Sequence, residues 1–224
     1  MTLRSELRQS EPKAALEGAL CLGRPFGIPI FVSPMLILAM AIVVLLATPL
    51  SPWDAPGSLG VTRTEFVAFG IPVLVAATFL HELGHSLVTL LLGGQVRRIY
   101  IGLSGGHMMP IHDEAQPLRD ALISVAGPLT NLAIWLVLRH SSAIQHQLDS
   151  RGWPTYGIAD INLLLFVGNI LPLGAVDGGH AYSSLCASFT SSRTAGRRFA
   201  AMTGWPLAAS IAAGIVGLTF YTGD

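Results

Sequence analysis

Long apolar stretches separated by short polar loops dominate the chain, and their lengths predict membrane-spanning helices. Crossing the hydrocarbon core of a bilayer takes about 20 apolar residues in a helix. Five stretches approach that length, and we predict helices at about residues 29–49, 66–92, 118–138, 156–173 and 199–221. The pattern therefore predicts an all-α polytopic membrane protein, a bundle of five transmembrane helices, or six in the full-length chain.

A different pattern follows the second predicted helix. Gly93 and Gly94 end the helix, and the residues from Gln95 to Ile101 are rich in β-branched and aromatic side chains, as in a strand. A glycine-rich turn at 102–106 precedes a second candidate strand at 107–112. We therefore predict a small membrane-associated β-hairpin, which at membrane depth must be buried in protein or line a wet cavity.

The composition supports a membrane protein. Charged residues make up 12% of the chain, against about 25% in soluble domains, and the mean hydropathy is +0.59. The formal net charge is zero, which argues against a nucleic-acid partner and leaves the lipid bilayer as the expected surroundings. We divide the chain into a polar cytoplasmic segment, 1–24, and one transmembrane domain, 25–224.

The distribution of basic residues predicts the orientation, because cytoplasmic loops carry an excess of Lys and Arg. With the N-terminus in the cytoplasm, three basic residues lie outside: Arg63, Arg139 and Arg151. Ten lie inside: Arg4, Arg8, Lys13, Arg24, Arg97, Arg98, Arg119, Arg193, Arg197 and Arg198. We therefore predict a multi-pass protein of the cell membrane, with the C-terminal half of the second helix toward the cytoplasmic side.

That half of the helix contains the sequence His81-Glu82-Leu83-Gly84-His85. Ionisable groups at bilayer depth are costly and usually functional. His81 and His85 lie one helical turn apart on the same face, a spacing that suits a zinc ion, and Glu82 can serve as general base. The other interpretation is a pair of core histidines that form hydrogen bonds between helices.

A catalytic zinc takes three protein ligands and keeps one position open. Asp177 is the best candidate for the third ligand, since it follows the fourth apolar segment, where Pro172 and Gly174 should break the helix. The predicted orientation brings this end of the segment to the level of the histidines. An Asp in a surface turn is the other interpretation, and spacing alone leaves the choice open.

Four motifs resemble the site-2 protease family of intramembrane zinc metalloproteases. They are Phe79–Ser86 around the histidines, the glycine pair Gly105-Gly106, Ala126-Gly-Pro-Leu-Thr-Asn131, and Asn169-x-x-Pro172 leading to Asp177-Gly-Gly179. The entry to the first helix, Gly27-Ile-Pro-Ile30, is also similar. The chain departs from the family at Leu173–Val176, where a second proline is usual, and at His180, where Arg is common. We interpret His180 as a solvated histidine rather than an extra ligand.

The resemblance implies one Zn²⁺ per chain, bound by His81, His85 and Asp177, with Glu82 as the catalytic base. It also implies that Asn169 contacts the scissile carbonyl or its oxyanion, and that Gly127, Pro128 and Asn131 are structural. The implied reaction is hydrolysis of a peptide bond within or near a transmembrane segment. The implied partner is a membrane-spanning protein substrate, such as a single-span anti-sigma factor.

A substrate in this reaction must unwind, and an exposed strand edge could hold the unwound segment through backbone hydrogen bonds. We predict this edge at Val96–Ile101, with Val96 and Ile99 as substrate-binding residues together with Gly105 and Gly106. Two alternatives remain: a membrane metal-ion carrier, for which no internal repeat is visible, and an inactive protease-like scaffold.

Overall fold

The structure is a computed structural model that describes residues 19–24, 27–47, 70–102, 105–111, 116–150, 155–174, 176–190 and 192–221. Within these ranges the strands are β1 (Leu20–Gly23), β2 (Ile30–Val32), β3 (Gln95–Gly102) and β4 (Gly105–Ile111). The helices are α1 (Pro34–Ala47), α2 (Ile71–Leu91), α3 (Pro117–His140), α4 (Ser142–Asp149), α5 (Thr155–Ile170), α6 (Asp177–Phe189) and α7 (Arg193–Tyr221). The fold is therefore mostly helical with one small sheet.

Each of the five predicted helices has a counterpart, but the bounds differ. The first begins at Pro34 instead of about residue 29, because Ile30–Val32 form a strand. The fourth ends at Ile170, two residues before Pro172. Residues 1–18 of the predicted cytoplasmic segment, and positions 48–49 and 66–69 of the predicted helices, lie outside the described residues.

Two helices are additional to the prediction. The short helix α4 begins after Ser141, whose Oγ accepts a hydrogen bond from the backbone N–H of Ile144. The helix α6 begins at Asp177, for which a surface turn was one of the two interpretations. Among the described residues, α2 and α3 are long and apolar enough to cross a membrane, and the apolar part of α5 is shorter. The number of five membrane-spanning helices stays a prediction.

The predicted hairpin exists as β3 and β4, but it is part of a larger sheet. The order of the strands is β1-β2-β3-β4. The pairing of β2 with β3 is parallel and places Ile30 opposite Ile99, while β3 and β4 are antiparallel. The strand β3 is therefore an interior strand, and among the described strands the edges belong to β1 and β4.

The sheet packs against one face of α2. Ile30, Val32, Ile99 and Ile101 form a buried cluster, and Phe79 and Leu83 of α2 pack against it. On a helix, residues four apart lie on one face and residues two apart point in nearly opposite directions. The face of α2 that carries His81 and His85 is therefore turned away from the sheet.

That second face of α2 packs against α3, which also contacts α5 and α6. Gly84 allows the close approach, because a Cβ atom at this position would overlap Thr130 Oγ1 and lie 2.9 Å from the carbonyl oxygen of Ala126. Small residues at helix contacts let backbones approach in this way in membrane bundles. The contact places the two histidines between α2, α3 and the start of α6.

Candidate metal centre

The two histidines of α2 point their Nε2 atoms at a common point. His81 and His85 are each 6% exposed, and their Nε2 atoms are 3.1 Å apart. The Nδ1 atoms face the opposite way: that of His81 lies 2.5 Å from Asn131 Oδ1, and that of His85 lies 2.7 Å from the carbonyl oxygen of Ile123. The nearest partner of each Nδ1 atom is an acceptor, whereas the backbone N–H of Gly127 lies farther from His85 Nδ1, at 3.3 Å. Both Nδ1 atoms therefore carry the proton, and a neutral ring leaves a lone pair on Nε2.

Asp177 completes the group from the first residue of α6. Its Oδ2 lies 2.8 Å from Nε2 of His81 and 3.3 Å from Nε2 of His85. His81 and Asp177 are 96 positions apart in the sequence. The fold thus brings together the two parts of the chain that the motifs singled out.

The separations of these atoms fit a tetrahedral metal ion. Ligand bonds of about 2.0–2.1 Å at tetrahedral angles place ligand atoms about 3.3 Å apart, and the three separations here are 2.8, 3.1 and 3.3 Å. Three groups that offer lone pairs to one point form a favourable site for a cation. His81, His85 and Asp177 are therefore positioned to hold a metal ion.

Gly127 of α3 leaves the space beside the imidazoles open. A Cβ atom at this position would lie 2.6 Å from His81 Nε2 and would overlap His85 Nε2. The α3 backbone therefore lies close to the ligand atoms, and a larger residue would collide with both of them.

A tight turn brings Asp177 to this point. The chain after α5 folds back through hydrogen bonds from Leu173 N–H to the Leu171 carbonyl, 2.8 Å, and from Val176 N–H to the Leu173 carbonyl, 3.1 Å. The first turn of α6 then packs on this backbone, since a Cβ at Gly178 or Gly179 would overlap backbone atoms of residues 170–174. The sequence Asp-Gly-Gly is thus needed to bring the carboxylate close to α2.

The surroundings of Asp177 keep its carboxyl group ionised. Burial raises the pKa of Asp177, but when the imidazoles of His81 and His85 carry a proton that faces Asp177, their hydrogen bonds and charge outweigh burial and hold the pKa well below its ordinary value of 3.8. A carboxylate rather than a carboxylic acid therefore faces the two imidazoles at neutral pH, as a metal ligand requires.

Glu82, the predicted catalytic base, is 4% exposed and directly follows His81 on α2. It is close enough to interact electrostatically with His85. Its carboxyl group is therefore buried and lies within electrostatic range of one of the two histidines. Its role as general base stays a prediction.

The predicted substrate-binding residues are more scattered. Asn169, near the end of α5, donates from Nδ2 to the carbonyl of Leu165, 2.9 Å away in the same helix. Gly105 and Gly106 begin the edge strand β4. Ile99 is 1% exposed on the interior strand β3, and Val96 packs against the same apolar cluster.

The predicted strand edge at Val96–Ile101 therefore requires a correction for residues 99–101. Residues 99–101 are paired with β2 on one side and with β4 on the other, so they cannot accept an additional strand. The sequence suggested an edge because β2, with only three residues, was included in the first helix. A described strand with one free side is β4, which contacts α2, the helix that carries the two histidines.

A cavity of about 660 Å³ adjoins the turn that brings in Asp177. It lies between the first turns of α3 and the helices α6 and α7, and Asp120, His180 and Arg197 are among the residues that line it. His180 is exposed here and is separate from the three residues positioned to hold the metal.

Two residues at the site have roles that the sequence analysis missed. Asn131, interpreted as a packing residue, contacts the ligand His81 directly. Asn162 of α5 was not considered, although it accepts a hydrogen bond from Asn131. The available signal was an asparagine in each of two apolar helices, since polar residues there usually bond across helices.

Comparison with known proteins places this geometry in context. No protein-family model matches the chain. Over 190 residues it is 30% identical to a putative zinc metalloprotease of Synechocystis sp., an alignment that covers 82% of this chain and 48% of that protein. It is 32% identical over 108 residues to a zinc metalloprotease of Methanocaldococcus jannaschii, covering 48% of this chain and 31% of that protein. The chain thus spans half or less of the length of these relatives.

A solved structure shares the fold. The site-2 protease from Methanocaldococcus jannaschii matches with a TM-score of 0.58 and 22% identity, over 91% of this chain and 88% of that chain. The fold is therefore that of this site-2 protease, and the relatives of similar sequence are named zinc metalloproteases. Both findings agree with the resemblance to the site-2 protease family that the four motifs indicate.

Proposed function

We propose that this chain is a zinc-dependent intramembrane protease that hydrolyses a peptide bond within or near a transmembrane segment of another protein. The observation that carries the proposal is the convergence of His81, His85 and Asp177 next to the buried Glu82. The apolar composition and the two apolar helices α2 and α3 support a site inside a membrane. The excess of Arg in the loops supports a cytoplasmic N-terminus and a site toward the cytoplasmic side.

Zinc suits the ligand group best. Two imidazoles and one carboxylate, with a fourth position open, are a ligand set of catalytic zinc, and the relatives described above are named zinc metalloproteases. When bound, the ion supplies a Lewis acid and lowers the pKa of water at the site to about 7.

The other steps of the reaction are assigned to side chains of this protein. His81, His85 and Asp177 bind the ion, and Glu82 accepts a proton from the attacking water and returns it to the leaving amine. Asn169 donates to the oxyanion of the scissile carbonyl. One of its two N–H donors is bonded to the Leu165 carbonyl, which leaves the other for the oxyanion.

The substrate segment pairs with the free edge of β4. A transmembrane helix hides its peptide bonds in its own hydrogen bonds, so the segment to be cleaved has to be extended first. Adding it as a fifth strand replaces the lost backbone hydrogen bonds. Gly105 and Gly106 at the start of β4 give a substrate close access to the backbone. We expect a single-span regulator, such as a membrane-held anti-sigma factor, as the substrate class.

The substitution Glu82→Gln tests the proposal. The variant should keep its zinc, because Glu82 is not a ligand, and should lose at least about 100-fold in cleavage of a model transmembrane substrate, since general base catalysis is worth 10²–10⁴-fold. Zinc content and cleavage are measured on the same purified sample in detergent or vesicles.

The control is Asp177→Ala, which should lose both zinc and cleavage. A variant Glu82→Gln that cleaves as fast as the parent would exclude Glu82 as the base. If the parent moves zinc across vesicles and Glu82→Gln does so equally well, the metal-carrier alternative is correct instead.

A further inference from the structure

Two buried asparagines connect three helices behind the metal centre. Asn131 of α3 is 0% exposed and Asn162 of α5 is 2% exposed. A buried amide is unfavourable unless its donors and acceptors have partners. Both amides are bonded here, and the bonds lead from the backbone of α5 to a metal ligand on α2.

The bonds run in one sequence. Asn162 donates from Nδ2 to the carbonyl oxygen of Ile158, 2.9 Å, and accepts on Oδ1 from Asn131 Nδ2, 3.0 Å. Asn131 Nδ2 also donates to the carbonyl oxygen of Ala77, 3.3 Å, and its Oδ1 accepts from His81 Nδ1, 2.5 Å.

The directions of these bonds follow from the fixed carbonyls. An amide side chain has two orientations, but a backbone carbonyl can only accept. The Ile158 carbonyl therefore requires Nδ2 of Asn162 and leaves Oδ1 toward Asn131. Asn131 must then present Nδ2 to Asn162 and Ala77, so its Oδ1 faces His81.

The acceptor at Nδ1 of His81, which is Asn131 Oδ1, determines the tautomer of the ring. The proton must lie on Nδ1, and Nε2, which faces Asp177, keeps its lone pair. His85 reaches the same state directly, because its Nδ1 lies 2.7 Å from the Ile123 carbonyl. A backbone carbonyl thus orients each ligand ring. The Ile123 carbonyl contacts His85 directly, and the Ile158 carbonyl acts on His81 through the side-chain amides of Asn162 and Asn131.

We propose that Asn162 and Asn131 form a serial hydrogen-bond relay that holds His81 in its metal-binding tautomer and orientation, with both asparagines as positioning residues. The inference rests on the proposed function only in that His81 is a zinc ligand. The relay gives α5 a role in orienting the His81 imidazole on α2. This role is separate from the position of α5 before the turn that leads to Asp177.

Zinc affinity of the full chain, measured by competition with a chromogenic chelator, tests the relay. Asn131→Leu should lower the affinity about 10–100-fold, the usual effect of losing a partner of a metal-bound histidine. Asn162→Leu should lower it less, because Asn131 is still held by the Ala77 carbonyl. Since the bonds are in series, the double variant should bind no more weakly than Asn131→Leu alone.

Thr203→Val is the matched control, because it removes a hydrogen bond of 2.8 Å between α6 and α7, from Tyr182 to Thr203, that does not involve the ligands. Its zinc affinity should equal that of the parent. The visible absorption of the Co²⁺-loaded chain gives a second readout, since it should change in the Asn131 and Asn162 variants and not in the control. If Asn162→Leu fails to fold, Asn162→Ala removes the same acceptor without added bulk.

Two results would overturn the relay: an Asn162 variant with parental zinc affinity, or losses that simply add in the double variant. A control that loses as much affinity as Asn162→Leu would show a general packing effect and would also overturn it. A parent chain that fails to bind zinc at all contradicts the proposed function, and the relay with it.

Discussion

At the scale of single residues, the metal centre depends as much on the absence of a side chain as on the ligands. Gly127 lies on α3, where the helix passes the two imidazoles. A glycine inside a helix costs about 0.5–1 kcal/mol relative to alanine. Here an alanine methyl group would collide with both Nε2 atoms. The cost of the glycine is therefore offset by the space that it leaves for an ion beside these atoms.

Gly127→Ala should therefore remove the metal without removing the fold. We expect zinc content to fall from about one ion per chain to less than about a tenth, because the methyl group competes directly with the ion, and stability to fall by about 1–3 kcal/mol from overpacking. Elemental analysis and thermal unfolding of the purified variant are the measurements. Gly168→Ala on α5 is the control, since its Cβ would meet nothing within 4 Å. Normal zinc content in Gly127→Ala would contradict the proposed position of the ion.

The residues also show what a sequence can and cannot predict. His81, Glu82 and His85 are recognisable because ligands one helical turn apart share a face wherever the helix lies. Asp177 needed the resemblance, because its partners are distant in the chain. The role of Asn131 depends on a contact 50 positions away, which no local pattern encodes.

At the scale of elements, the helices were easier to predict than the sheet. Long apolar stretches identify helices by length alone, whereas β2 has three residues directly before an apolar helix and cannot be separated from it by periodicity. Missing β2 made β3 look like an edge strand. The corrected sheet leaves β4 as the edge beside α2, and its register tells which backbone groups point outward.

Met108 is one of these outward positions. It lies opposite Ile99, whose N–H donates to the Pro29 carbonyl on the β2 side. Ile99 and Met108 therefore form a non-hydrogen-bonded pair, and the N–H of Met108 points to the free edge. Met108→Pro removes this donor while it leaves the ladder between β3 and β4 intact.

We expect Met108→Pro to reduce substrate cleavage about tenfold, the value of one backbone hydrogen bond of about 1.4 kcal/mol, at unchanged zinc content. Initial cleavage rates of a model transmembrane substrate provide the measurement. Met108→Ala keeps the N–H and should cleave at the parental rate. An equal loss in both variants would assign the effect to the side chain, and parental activity in Met108→Pro would argue against pairing of the substrate with β4.

At the scale of the whole molecule, the ion would connect helices that are otherwise held together by packing alone. Two ligands belong to α2 and the third to α6, and α3 packs against both helices. Without a cation, a carboxylate and two imidazole lone pairs face one another at 2.8–3.3 Å. Binding that occurs only in the folded chain adds to the free energy of unfolding.

Removal of the metal should therefore destabilise the folded chain. With free zinc at about 1,000 times the dissociation constant, the ion contributes about 4 kcal/mol, so a strong chelator should lower the midpoint of thermal unfolding and added zinc should restore it. Glu82→Gln should show the same zinc-dependent shift, since Glu82 is not a ligand. Asp177→Ala should lose most of the shift, because it removes the ligand that connects α6 to α2. A shift of parental size in Asp177→Ala would mean that the stabilising ion binds elsewhere in the chain.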